Sequence, residues 1–180
     1  MGGGGLIAQL HVSHDGAYHP MRPIVLLTAM IAVLSLPARA PADQGSLMEG
    51  MKKQAEPLLY ALGLLGSPYK SGGTDPAKGV DCSGFVSHVY KKSASVELPH
   101  NAKAMSKNGA EVDKQALKPG DLVFFNTLKK PFSHVGIYAG DGKFVHASSR
   151  KSKQVVLSDL HDNYWEKSYN GARRVLPDTP

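Results

Sequence analysis

The 180-residue chain contains one cysteine, Cys82, and one tryptophan, Trp165. With a single thiol, no internal disulfide can form. The apolar run at residues 24–36 is thirteen residues long, short of the roughly 20 that cross hydrocarbon. Compositional bias is also missing. A content of 42% hydrophobic and 20% charged residues suits a globular protein with one core and argues against disorder or a fibre.

What is present begins at Met21. An Arg near the start, the apolar run and then small residues have the layout of a secretory signal peptide. Residues 21–42 are therefore read as a signal, and the mature protein is expected to be exported to the periplasm or secreted. Cleavage sites of the A-x-A kind end at Ala40 and at Ala42. Pro41 would follow a cut at Ala40 and hinder it, which favours Ala42. Residues 1–20 precede an already complete signal and are left as an unassigned extension, consistent with a start codon placed too early. Their His11, His14 and His19 lack regular spacing and neighbouring cysteine or carboxylate ligands, so they are not read as a metal site. No cysteine near the cleavage region supports a lipid anchor.

The full chain carries 21 basic and 15 acidic residues. Removing Arg22, Arg39 and Asp15 with the signal leaves 19 and 14, a balance of +5. Such a balance suits an anionic polymer. Nucleic acid is not expected, because the basic pairs Lys52-Lys53, Lys91-Lys92, Lys129-Lys130 and Arg173-Arg174 lack interleaved aromatics or a recognition motif.

A lone thiol in an exported protein is inert, intermolecular or reactive. The stretch GGTDPAKGVDCSGFVSHVYKKS separates these. A Gly/Pro-rich loop precedes Cys82, and Phe85, Val86, Val89 and Tyr90 recur at helical spacing, predicting a helix over residues 82–92 with Asp81 as its N-cap. Backbone N–H groups at a helix start stabilise a thiolate, which should lower the thiol pKa, and they can stabilise an oxyanion. This is a nucleophile's placement.

A thiol nucleophile needs an imidazole within hydrogen-bond reach and a third group to orient the ring. His88 lies on the same predicted helix, roughly 9 Å along its axis from Cys82. His100 and His161 read as surface or capping residues. The other two occur in SHVGIYAGDGKFVHAS, a predicted β-hairpin turning at residues 140–142. His134 and His146 share a face only if the connection has odd length, so a three-residue loop or a bulge is expected, with Gly136 leaving room for the cysteine helix. His134 would then be the general base and His146 the group that holds its ring.

The segments LGLLGSPYKSGG, GVDCSGFVSHVY, LKPGDLVFF, HVGIYAGDGKFVHAS and YNGARRVL together resemble the NlpC-type bacterial cell-wall endopeptidases, a branch of the papain-like cysteine peptidases. The resemblance covers residues 56–176, with 43–55 as a lead segment and 177–180 as a tail. It implies an α+β, papain-like core in which helices pack on a central antiparallel sheet and the catalytic cysteine sits at a helix N-terminus. It implies hydrolysis of peptidoglycan stem peptides, commonly at the γ-D-glutamyl to diaminopimelate bond. Cys82 would be the nucleophile, His134 the base and His146 the third polar member. Tyr69, Asp81 and Ser133 resemble positions that approach the thiol or hold the substrate's polar ends.

No metal or cofactor is called for, and a monomer without stable membrane insertion is expected. The rival bond is the D-alanyl to diaminopimelate crosslink, and the rival class is an inactive wall-binding protein. No wall-binding repeat is recognisable, so targeting is expected to come from the site or from the positive charge. The remaining elements are read as a helix over residues 57–65, a turn at 118–121 feeding a strand over 122–125, and strands over 155–157 and 172–176.

Overall fold

The computed structural model describes residues 42–127, 129–150 and 152–177. The extension, the apolar run and the Ala40 cleavage site lie outside the described residues. Among the described residues no helix is long and apolar enough to cross a membrane.

Helix α1 spans Ala42–Gly63, a two-residue hairpin β1 (Thr74–Asp75) and β2 (Gly79–Val80) follows, and α2 spans Cys82–Ala94. The short α3 (Ala102–Met105) precedes β3 (Ala110–Val112), β4 (Leu122–Phe125), β5 (His134–Gly140), β6 (Lys143–Ala147) and β7 (Val155–Asp159). Helix α4 (Asn163–Ser168) and β8 (Tyr169–Arg174) close the chain. Six strands form one antiparallel sheet in the order β3-β8-β4-β5-β6-β7. The α+β architecture expected from sequence is present.

The two faces of this sheet bury different residues. Phe85, Val86, Val89 and Tyr90 of α2 pack with Phe124, Val135, Ile137, Val145 and Ala147 and with Leu58 and Ala61 of α1. The opposite face carries Val123, Phe125, Phe144 and Ala172 under Leu160 and Trp165. Fully burying one such phenylalanine contributes about 2 kcal/mol, so α2 is held to β5 and β6 mainly by its apolar side.

Several expected boundaries differ: the last strand, expected over 172–176, spans Tyr169–Arg174, β7 runs on to Asp159 and α2 to Ala94, and the first helix differs most. The first helix, expected to start at Pro57, is continuous from Ala42, and Pro57 lies inside it. Proline costs the helix the bond its missing N–H would make to the residue 53 carbonyl. That loss is tolerated where the helix docks: Leu58 and Ala61 are buried against the core, and tertiary packing outweighs a local breaker.

The expected turn before β4 is present and is pinned from below. Asp121 N–H donates to the Lys118 carbonyl at 3.0 Å, and Gly120 adopts a φ of 95°. The Asp121 carboxylate is 2% exposed and accepts two bonds from Arg174, Nε at 2.8 Å and Nη2 at 2.8 Å, and one from the Lys118 N–H at 2.7 Å. Tyr90 of α2 donates its hydroxyl to the Gly120 carbonyl. Helix, turn and last strand are thereby joined at one buried point.

Arg174→Ala strands a buried carboxylate and should lower stability by about 3 kcal/mol. Denaturant unfolding checks this, and a loss below 1 kcal/mol would show that Asp121 finds other partners.

Candidate active site

Cys82 is the first residue of α2, as expected, and Asp81 is its N-cap. The Asp81 carboxylate accepts the Gly84 N–H at 2.7 Å, the Ser83 hydroxyl at 3.0 Å and the Gly72 N–H at 3.0 Å, and pairs with His100 Nε2 at 3.0 Å. Burial alone would raise the Asp81 pKa, but the Gly84 N–H, His100 and Ser83 together hold it below the usual carboxylate range. Cys82 packs against the core while keeping partial exposure. Its sulfur accepts the backbone N–H of Val135, the second residue of β5. That contact brings the helix start beside His134.

The β5–β6 hairpin has the parity that the sequence required. Tyr138 pairs with Phe144 and Gly140 with Lys143, with a register shift between them. Asp141 and Gly142 both have positive φ, 49° and 71°, so a tight primed turn is combined with a bulge. The two imidazoles meet on one face, with His134 Nε2 2.8 Å from His146 Nδ1.

Gly136 serves a different purpose from the one expected. A Cβ there would lie 2.7 Å from Phe144 Cδ2 and 2.9 Å from the Val145 carbonyl, with His146 Cβ at 3.2 Å. The space above Gly136 belongs to the neighbouring strand β6, because α2 packs on the other face of the sheet.

The chain of polar contacts continues to residues that sequence reasoning did not single out. His146 Nε2 lies 3.0 Å from Ser158 Oγ on β7, and His146 is 1% exposed. Trp165 stacks on His134 with ring centroids 5.5 Å apart and an interplanar angle of 26°, and meets His146 edge-on at 4.8 Å. It lies in the polar stretch HDNYWEK, where only its being the sole tryptophan marked it. Ser158 follows the apolar positions of β7 and bears no local signal.

Electrostatically the enclosure favours neutral groups. Burial pushes the Cys82 thiol up to about 11, and the Asp81 charge adds to this, while the Val135 and Ser83 N–H groups act in the opposite direction. The expected lowering by the helix start is therefore outweighed by desolvation. Burial pulls His134 down to about 4 against a small opposing pull from Asp81. Burial also holds His146 well below 6.5, aided by repulsion from His134.

The weaker candidates are near the thiol. The Tyr69 phenol pKa is raised, by burial first and then by Cys82 and Asp81, while Ser71 and Ser149 hydrogen-bond the phenol. The Ser133 hydroxyl accepts the Thr127 N–H at 2.9 Å. Ser133, Asp81 and Cys82 line one cleft of about 500 Å³ together with His100 and Phe132. A second, of about 360 Å³, is lined by His134, His146, Ser149, Arg150, Tyr164 and Trp165. His88 lies apart from both and contacts Tyr60.

A thiol at the start of a helix packed on one face of an antiparallel sheet, with paired imidazoles at the neighbouring strand end, is the arrangement of a papain-like cysteine hydrolase domain. The chain belongs to the NlpC/P60 family, whose model matches residues 66–174. It is 43% identical over 111 residues to the gamma-DL-glutamyl hydrolase of Bacillus subtilis, covering 61% of this chain and 26% of that one. It is 36% identical over 153 residues to the probable endopeptidase NlpC of Escherichia coli, covering 84% and 97%. A crystal structure of an NlpC/P60 family protein from Bacillus cereus superposes with a TM-score of 0.63 at 36% identity, covering 69% of this chain and 40% of that one. The chain spans between 26% and 57% of the length of three curated relatives, that Bacillus hydrolase and the Escherichia coli murein DD-endopeptidases MepH and MepS.

The burial of two neutral imidazoles has a consequence for stability. Unfolded histidine takes a proton near pH 6.5, whereas folded His134 resists until about 4. Below 6.5 the unfolded chain binds more protons than the folded one, so stability is level above 6.5 and falls as pH drops toward 4. Thermal unfolding should show a falling midpoint in that window, with a shallower fall in His134→Gln. A flat midpoint between pH 6.5 and 4 in the unaltered protein would contradict the neutral assignment.

Proposed function

We propose that this chain is an exported cysteine endopeptidase that hydrolyses peptidoglycan stem peptides, with the γ-D-glutamyl to diaminopimelate bond as its target. The observation that carries this reading is the ordered line of polar groups, His134 to His146 to Ser158, beside a thiol at a helix start. Names of relatives support the substrate class: a gamma-DL-glutamyl hydrolase and murein endopeptidases. Action outside the cytoplasm accords with the signal-like residues 21–42, and the proposed acting form is a monomer. The MepH and MepS names also favour a second reading, cleavage of D-alanyl to diaminopimelate crosslinks.

Each group has one role. His134 engages His146 through Nε2, which leaves Nδ1 for the thiol. For Nδ1 to accept the Cys82 proton, Nε2–H donates to His146 Nδ1, and His146 keeps its own proton on Nε2, donated to Ser158 Oγ. Hydrogen bonds then run in one direction, away from the reacting sulfur.

Because burial favours neutral partners, the thiol proton moves to His134 as sulfur attacks the scissile carbonyl. The new S–C bond gives a tetrahedral oxyanion, held by N–H groups of the helix start. Its collapse breaks the C–N bond, and His134 returns the proton to the departing amine. Water, deprotonated by His134, then cleaves the thioester and restores the thiol. His146 keeps the His134 ring in place and accepts its N–H throughout. Asp81 and Ser133 line the acyl side with Cys82, where Asp81 acts first as the cap that fixes Cys82, and Tyr69 approaches the thiol from beside Ser149.

Defined muropeptides incubated with the mature protein should yield products whose masses identify the bond. Cys82→Ala should lower the rate at least about 1,000-fold. Substrate left intact by the unaltered protein would overturn the hydrolase reading. Ser158→Ala should lower kcat roughly tenfold with little change in KM, and Ser158→Thr should restore most of it. Equal losses in both variants would assign Ser158 a packing role instead.

A further inference from the structure

The two cavities differ in which of the proposed reacting groups lines them. Cys82 lines one, with Asp81 and Ser133, and His134 lines the other, with Trp165, Tyr164 and Arg150. In acyl transfer the acyl part stays on sulfur, while the departing amine takes its proton from the imidazole. The residue released therefore occupies the cavity on the His134 side. This assignment rests on the function proposed above.

That cavity contains a cation, Arg150, held in place by an aromatic ring. Arg150 follows β6, and its guanidinium carbon lies 4.4 Å from the centroid of the Tyr164 ring. Stacking of this kind orients the planar fork and leaves its N–H edges available. Among the described residues no carboxylate pairs with Arg150. Trp165 and Tyr164 supply apolar wall beside it, and the Ser148 and Ser149 side chains complete the lining. A ligand that suits this cavity has a short aliphatic stem and a carboxylate.

Both candidate bonds place the same amino acid there. In the γ-D-glutamyl bond diaminopimelate leaves through its L-centre amine, with the D-centre carboxyl at the far end of an aliphatic side chain; in the D-alanyl crosslink it leaves through the D-centre amine, beside that carboxyl. Its D-centre carboxyl is not consumed in either bond and occurs free or as the carboxamide. A guanidinium distinguishes these strongly, because it forms paired charge-assisted bonds with the carboxylate and meets two N–H donors of the same polarity in the amide. We propose that Arg150, oriented by Tyr164, is the carboxylate-binding element of the leaving-side subsite and selects stem peptides whose diaminopimelate is not amidated.

Paired muropeptides that differ only in this carboxyl or carboxamide provide the test, with steady-state kinetics of the unaltered protein, Arg150→Gln and Arg150→Lys. The unaltered protein should favour the free acid by roughly tenfold in kcat/KM. Arg150→Gln should lose that preference through a higher KM for the acid, and Arg150→Lys should keep part of it. A preference unchanged in Arg150→Gln, or absent from the unaltered protein, overturns the assignment while leaving the hydrolase reading intact. Failure of the unaltered protein to cleave either substrate removes the hydrolase reading and the subsite with it. Calorimetric binding of both peptides to Cys82→Ala gives the same comparison without turnover, and equal affinities there would also overturn it.

Discussion

The Asp81 carboxylate is the constraint on which the site's geometry depends. It closes the open N–H groups of α2 through Gly84, ties that helix to the turn before β1 through Gly72, and anchors the segment before α3 through His100. Three separate stretches of chain are fixed by one side chain, and Cys82 is the next residue. A carboxylate drawn partly out of water, here with 19% of its side chain exposed, needs several donors, so the cluster is cooperative: losing one donor weakens the hold of the rest. Gly84 adds a steric requirement. A Cβ at that position would run into the Gly73 carbonyl, so the helix start can lie against the loop only with glycine there.

From that anchor the sheet does the remaining positioning. Helix α2 packs on one face of β5 and β6, and the imidazoles lie on the other. The two sides meet only at the end of β5, where the Val135 N–H reaches the sulfur. This arrangement encloses the thiol and the imidazoles and sets their protonation. Burial opposes charge on both thiol and imidazole, so the resting site favours a neutral pair, and in the proposed reaction the proton would move during attack. Trp165 packs against both rings, which shields the polar line from water.

Features with short-range causes were legible in the sequence. The start of α2 followed from a capping aspartate and the apolar positions 85, 86, 89 and 90. The shared face of His134 and His146 followed from counting along a hairpin, since the two-residue period of a strand forces an odd connection. The length of α1 was not legible, because Pro57 is a local breaker and only docking of Leu58 and Ala61 outweighs it. Gly136 was assigned to the wrong neighbour for a similar reason: strand alternation says that a face is crowded, not which element crowds it.

The sequence by itself determined which groups could react. It determined that one thiol stands at a helix start, that two imidazoles share a strand face, and that the whole follows the NlpC/P60 pattern, because each depends on spacing between near neighbours. Tertiary structure alone decided that Ser158 and Trp165 complete the imidazole line, that Arg150 flanks it, and that the thiol pKa rises instead of falling. These depend on contacts between residues far apart in the chain and on the loss of water when they close. Desolvation is a property of the packed whole, and no local run of residues encodes it.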